Sequence, residues 1–318
     1  MVSTPLVYVG GSARSGSTLF ERMLAAVPGY CSVGEIVFIW ERCVRRNDRC
    51  GCGERFADCP FWDQVGKSAF GGWDEVDADK AIGLRATVDR HRNIGKIAGP
   101  GRRSALETAI AEYAQITGRL YQAVSEVSGA SVIIDSSKHV SYALLLRRLP
   151  ELDLRLAHLV RRSHGVAYSW SRPVRKPGVG DGTQFMSVHG TAWATGLWLT
   201  DNLLYDVLGR RTPRSALVRY EDLAAEPGAE LARVISELDL PGADEARAAF
   251  AGPAAEPPVS HALSGNPMRL AQTQVVVRSD ERWRTAMPWP RRAAITAATW
   301  PLLLRYGYPI APWAQPRK

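Results

Sequence analysis

Short apolar runs recur along the chain, and each empties into glycine or polar residues. The runs at 6–10, 131–135, 154–160 and 216–219 are strand-length and largely apolar. They predict strands buried on both faces. Amphipathic stretches between them predict helices over 20–27, 36–44, 105–127, 142–148, 191–208 and 228–238, with another starting in 166–172. In 105–127 a single stripe carries Leu106, Ile110, Tyr113, Ile116, Leu120 and Val124, the spacing of one helix face. Strands alternating with helices predict an α/β fold of three layers, a central parallel sheet flanked by helices, and the Gly/Ser loop at 11–18 after the first strand makes it P-loop-like. Residues 172–190 are rich in Pro and Gly and predict a loop. Residues 68–104 are charged and glycine-spotted, with weak helical periods. They read as an insertion beside the core that shapes an acceptor pocket. The best boundary candidate is 253–258, but no strong linker divides the chain, so 1–318 reads as one domain. The apolar stretch 293–304 is too short to span a bilayer and reads as a buried terminal helix.

The first strand leads into Gly11-Ser12-Ala13-Arg14-Ser15-Gly16-Ser17-Thr18, and a helix follows. Backbone N–H groups and the positive helix end converge on an anion in such a layout. The segment nearly spells the nucleotide-hydrolase loop G-x-x-x-x-G-K-[ST], but Ser17 stands where Lys is required. That Lys would reach the outer phosphates. Arg14 with hydroxyls in its place suits a 5′ anion without a long polyphosphate tail.

Arg14-Ser15-Gly16-Ser17-Thr18 resembles the 5′-phosphosulfate loop of sulfotransferases that use 3′-phosphoadenosine 5′-phosphosulfate (PAPS). Leu159 to Ser169 resembles the family's 3′-phosphate motif, with Arg161 at a strand end and Ser169 eight residues later in a helix. Leu217 to Leu223, Gly34-Glu35 and Asp135-Ser136-Ser137-Lys138 are further echoes, and together they cover most of the chain, from about 6 to 308. The likeness is to the bacterial and the carbohydrate or tyrosylprotein branches.

The resemblance implies a reaction and roles. A sulfuryl group passes from PAPS to an acceptor hydroxyl by in-line displacement, and no metal is required. Arg14, Ser15, Gly16, Ser17 and Thr18 hold the 5′ side; Arg161 and Ser169 hold the 3′-phosphate. Glu35 is the candidate general base and His139 its competitor. Lys138 neutralises charge on the leaving side, oriented by Asp135, Ser136 and Ser137, and Arg14 also faces the sulfuryl oxygens. Gly265-Asn266-Pro267-Met268-Arg269 resembles a loop covering the 3′-phosphate, within a nucleotide-covering segment 259–290, and Arg269 is its candidate ligand. The aromatic that often follows the 5′ loop is missing at Leu19, so adenine contacts are unassigned. His189, Trp170, Trp193 and Trp198 are candidates for the acceptor pocket. Two other readings stay open: a nucleoside-type kinase with a degenerate loop, and a non-enzymatic nucleotide-binding protein.

Composition changes this picture little. The chain has 318 residues, 46% hydrophobic and 23% charged, with a net charge of +8 and a pI near 9.4. The excess is carried by Arg, whose planar fork suits phosphate and sulfate. No basic run resembles a nucleic-acid tail. The N-terminus lacks a charged start with a long apolar run, so cytoplasmic localisation without stable membrane insertion is expected. Cys43, Cys50, Cys52 and Cys59 are separated by six, one and six residues. That spacing departs from the C-x₂-C pairs of common zinc sites. They read as structural thiols, reduced or locally disulfide-linked, and no metal is expected. Cys50 to Trp62 also resembles a segment of some bacterial sulfotransferases.

Overall fold

The computed structural model describes residues 4–99, 104–174, 185, 187–252, 254–255, 259–270 and 274–310. Most of the loop expected at 172–190, and the boundary candidate 253–258 apart from residues 254–255, lie outside them.

Five parallel strands form the central sheet: β1 (Thr4–Gly10), β2 (Tyr30–Gly34), β3 (Val132–Asp135), β4 (Leu152–Val160) and β5 (Ser215–Arg219), in the order β2-β3-β1-β4-β5. A small antiparallel pair joins β6 (Ala254–Ala255) to β7 (Val275–Val276). The helices of the first half are α1 (Ser17–Ala25), α2 (Pro60–Phe70), α3 (Ala78–Val88), α4 (Ile94–Ala98), α5 (Ala105–Ser128) and α6 (Val140–Leu146). Those of the second half are α7 (Ser163–Trp170), α8 (Thr191–Arg210), α9 (Tyr220–Ala225), α10 (Pro227–Glu237), α11 (Ala243–Ala249), α12 (Trp283–Ala286) and α13 (Trp289–Arg305).

Alternation along the strands builds the layers. Leu6 and Tyr8 of β1, Ile133 of β3 and Leu156 of β4 face one core with Tyr121 of α5, Leu145 of α6 and Tyr205 of α8. Val7, Val9, Ile134 and Leu159 face the other, with Phe20 and Met23 of α1 and Val234 of α10. The expected three-layer arrangement is therefore present. It also places the site. β1 sends its following helix to one face and β3 sends α6 to the other, while α7, after β4, packs on Val160 with Trp198 of α8, whose Tyr205 lies in the same core as α6. The loops part above β1, as they do where α/β sheets bind ligands beyond their strand ends.

Some elements differ from expectation. β2 is absent from the sequence reading, because its alternation is broken by a buried polar residue, Ser32, that bonds Glu21. Residues 36–44 form a 3₁₀ turn, Ile36–Phe38, and then a π-helical turn, Ile39–Val44, in place of one helix. The wider turn carries a bond from Arg45 N to Trp40 O (3.0 Å) while Trp40 is buried. Within 68–104, Ala81, Val88 and Ile97 are buried in the first core, so the segment walls that core. The terminal helix α13 is amphipathic and not wholly buried: Ile295, Leu302 and Leu303 face inward, Trp300 and Leu304 outward. Among the described residues, no helix is long and apolar enough to cross a membrane.

Candidate active site

The loop after β1 is shaped by two glycines. A Cβ on Gly11 (φ 127°) would lie 2.1 Å from Leu159 O, and one on Gly16 (φ 98°) 2.6 Å from the Tyr220 ring. Gly16 precedes α1, so the loop ends at a helix N-terminus. Arg14 has φ 71°, a backbone conformation that residues other than glycine rarely adopt. Its guanidinium lies 4.9 Å from the centre of the Trp170 ring. Nε and Nη2 are buried with no hydrogen-bond partner among the described residues, as is Ser15 Oγ. Burial pulls the Arg14 pKa down, and the Glu35 charge opposes that. Two buried guanidinium nitrogens without a hydrogen-bond partner, beside a helix N-terminus, are chemically able to hold an anion.

Beyond β3, Lys138 also has positive φ, 62°. Its Nζ donates to Glu35 Oε1 (2.6 Å) and Ser136 O (2.6 Å). Glu35, at the end of β2, is also 3.9 Å from Arg42 Nη1. Its N–H donates to Leu263 O (2.7 Å), and Leu263 N to Val33 O (2.9 Å). The turn is braced from within: Ser137 N donates to Asp135 Oδ1 (2.7 Å), and Val37 N to Ser137 Oγ (3.1 Å). The Tyr121 hydroxyl donates to the other Asp135 oxygen. Burial pushes Asp135 up to about 6, with the Ser137 and Tyr121 bonds opposing. Beneath the turn, Glu21 accepts from Ser32 and Ser136 (2.5 Å), and burial raises its pKa.

Arg161, just after β4, ties the loop to the C-terminal segment. Nη1 donates to Arg14 O (3.4 Å) and Nη2 to Asp280 O (2.7 Å), with Asp280 Oδ2 at 3.5 Å. Its guanidinium lies 4.4 Å from the centre of the Tyr220 ring. Arg162 points elsewhere and donates to Pro309 O (2.7 Å).

Two cavities lie over the strand ends. One, of about 500 Å³, is lined by Arg14, Gly16, Ser17, Thr18, Arg161 and Ser169, and by Gly265, Asn266, Arg278 and Arg282 from the C-terminal segment. Arg269 is not on its wall; Nη1 donates to Ala262 O (3.2 Å). The other, of about 550 Å³, is lined by Phe38, His139, Trp193 and Asp201, and by Asp89, Arg90 and His91 from the 68–104 segment. The two share Ala13, Glu35, Arg42, Lys138 and Trp170. Trp198 is buried and donates to Arg161 O (2.9 Å), away from both; His189 stacks on Trp193. Within the second cavity, His139 Nδ1 is 2.6 Å from Asp89 Oδ2. Burial pushes Asp89 up, but the bonds from His139 and Ser141 and the Arg85 charge outweigh it and hold its pKa low.

The structure places Arg14, Ser17, Thr18, Glu35, Lys138, His139, Arg161 and Ser169 on the walls of these cavities, with Ser15 in the same loop. Asp89, Arg278, Asp280 and Arg282 on the same walls, and Glu21 beneath them, are not among the residues expected from the sequence. Glu21 was detectable as a carboxylate on the inward face of α1. The others are distant in sequence and meet only through the fold. The cysteine segment departs from the expectation of plain structural thiols. Cys50, Cys52, Cys59 and His261 place their ligating atoms within 4.8 Å of one another, while Cys43 lies outside the group.

No family model matches the chain, and no curated protein matches it. Solved structures do. The chain is similar to the sulfotransferase domain of the olefin synthase of Synechococcus PCC 7002, at 19% identity over 96% of each chain with a TM-score of 0.50. It is similar to the sulfotransferase domain from the curacin biosynthetic pathway, at 18% identity over 97% of this chain and 99% of the other, with a TM-score of 0.51. The chain thus has the fold of these sulfotransferase domains along nearly its whole length.

Proposed function

We propose that this protein, built on that fold, is a PAPS-dependent sulfotransferase acting on a hydroxyl of a small-molecule, glycan or lipid acceptor. The observation that carries the reading is the meeting of two cavities at Glu35 and Lys138. One cavity is lined by arginines and a helix N-terminus, as a nucleotide anion needs. The other presents aromatic and polar side chains, as an acceptor needs.

The residues fit the donor. The unpartnered Arg14 nitrogens and Ser15 Oγ await an anion, and Gly16 keeps side-chain atoms out of the loop. Arg14, Ser15, Gly16, Ser17 and Thr18 hold the 5′ side, and Arg161 and Ser169 the 3′-phosphate. Arg269 acts from outside the cavity, bracing the chain that carries Gly265 and Asn266. When bound, the donor supplies an activated sulfuryl group and a bisphosphate leaving group.

Glu35 accepts the acceptor's proton as the hydroxyl oxygen attacks. It must first yield its ion pair, which frees Lys138 Nζ for charge growing on the leaving side. Arg14 offsets charge on the equatorial oxygens. Such preorganised charge is the main lever when bond-making needs little covalent help from the protein. A second reading makes His139 the base. The Asp89 bond to Nδ1 fixes the ring in the manner of a catalytic histidine, leaving Nε2 to take a proton. The position of Glu35 on both cavities favours the first.

Titration with 3′-phosphoadenosine 5′-phosphate, with ATP and AMP alongside, tests the reading through the melting temperature. A shift selective for the 3′,5′-bisphosphate, lost in Arg161→Ala, is expected. A shift seen only with ATP and magnesium would overturn the reading in favour of a kinase, and no shift with any of the three would overturn nucleotide binding.

A further inference from the structure

We propose that Cys50, Cys52, Cys59 and His261 form a structural zinc site that clamps the C-terminal segment to the cysteine hairpin. Three thiols and one imidazole converge from two stretches far apart in sequence. Cys59 Sγ is 3.7 Å from Cys50 Sγ and 3.7 Å from Cys52 Sγ. His261 Nδ1 is 3.4 Å from Cys59 Sγ and 3.7 Å from Cys50 Sγ. Tetrahedral zinc with bonds of about 2.3 Å to sulfur and 2.0 Å to nitrogen has S···S edges of about 3.8 Å and S···N edges of about 3.5 Å. The four observed separations are those edges. One disulfide would consume two thiols and leave the third beside the imidazole without purpose. Three soft sulfurs with one nitrogen select zinc among common divalent ions, and a full protein ligand set marks a structural site.

The surroundings are built for the same task. Cys50 to Glu54 is a tight hairpin: Cys50 N donates to Glu54 O (2.8 Å) and Gly53 N to Cys50 O (3.0 Å), with Gly53 at φ 98°. His261 is oriented by Phe61, stacked at 4.6 Å, and its carbonyl accepts from Trp62 Nε1 (2.9 Å). Gly51 N and Arg269 Nη1 both donate to Ala262 O. Arg269, held on the carbonyl of the residue next to His261, brings a positive charge beside the cluster. It thus offsets the net negative charge of zinc with three thiolates. The clamp sits two residues from Leu263, whose backbone holds Val33 and Glu35. Zinc binding releases the thiol protons and involves no redox change.

The test is the metal content of the full chain, purified in reductant without added metal. About one zinc per chain is expected, displaced by a thiol-reactive mercurial with a fall in melting temperature. Cobalt(II) added to the stripped protein should give thiolate charge-transfer bands. Cys52→Ser and His261→Ala should lose the metal, His261→Cys should keep it, and Cys31→Ser, outside the cluster, should keep it. If His261→Ala does not fold, the wild-type measurement and His261→Cys decide. A chain that takes up neither zinc nor cobalt with its thiols reduced overturns the proposal. So does a native disulfide among the three cysteines, or equal loss in Cys31→Ser. None of these readouts depends on PAPS or on activity.

Discussion

Lys138 Nζ lies 2.6 Å from Glu35 Oε1, and the pair stands on the wall that two cavities share. The two residues arrive from the ends of adjacent strands, β3 and β2. In the proposed mechanism this contact holds a cation and a base together until an acceptor separates them, and each partner can be removed alone.

Glu35→Gln removes the proposed base and keeps the shape. Turnover should fall about 10²- to 10⁴-fold, the usual worth of general-base catalysis. The bisphosphate-induced thermal shift should survive. Turnover within a few-fold of wild type would falsify the assignment and turn attention to His139→Asn, which should then show the larger loss.

Arg161→Ala should weaken bisphosphate binding about 10- to 150-fold, the equivalent of roughly 1.5–3 kcal/mol for a charge-assisted contact. Asp280→Asn should do the opposite. Its carboxylate, held to about 2 by its Arg282 bond and the Arg161 charge, competes for the arginine proposed to bind the 3′-phosphate. Tightening of about two- to fivefold is expected by calorimetry, as for a partly exposed ion pair. Weakening in the Asn variant would show that Asp280 positions Arg161 instead.

Two buried groups oppose each other in acid. Burial raises Asp135 from 3.8 to about 6, so its contribution to stability is full below about pH 3.8 and lost as pH rises through 6. Burial and the Arg162 charge lower His164 from 6.5 to about 4, so its contribution is full above 6.5 and lost as pH falls through 4. Each shift corresponds to roughly 3 kcal/mol. Asp135→Asn should therefore make denaturant stability fall more steeply between pH 6 and 4, and His164→Gln should make it fall less steeply. Identical slopes in both variants and wild type would contradict the sign argument.

Gly11→Ala should destabilise by about 2 kcal/mol or more, because its Cβ meets a backbone carbonyl and its φ is left-handed. Gly196→Ala, in α8 with nothing within 4 Å, should stabilise by about 0.5–1 kcal/mol. Urea midpoints of the pair check both.

The elements legible in the sequence are those in which apolar residues dominate a strand-length run or a helical stripe. β1 and β3 are nearly continuous apolar runs, β4 keeps Leu154, Leu156, Leu159 and Val160 around the buried Arg155 and His158, and α5 shows its stripe plainly. β2 escapes because Ser32 is spent on Glu21, a bond invisible without the partner. Lys138 and Arg14 were legible from motif spacing, but their left-handed backbones were not, since neither is glycine. The zinc cluster is hidden because its fourth ligand, His261, lies far beyond the cysteines in sequence and reaches them only when the C-terminal segment returns to β2.

That return has a consequence for the order of synthesis. Leu263 lies beside Gly34 as a parallel bridge and supplies both backbone partners at the end of β2. On the ribosome, β2 emerges early with this edge open, and an unpaired edge is where a nascent chain pairs wrongly. Glu35 is thus translated among the first residues of the site and held in place among the last. The β2 edge therefore stays without this partner until the stretch carrying Leu263 has been made.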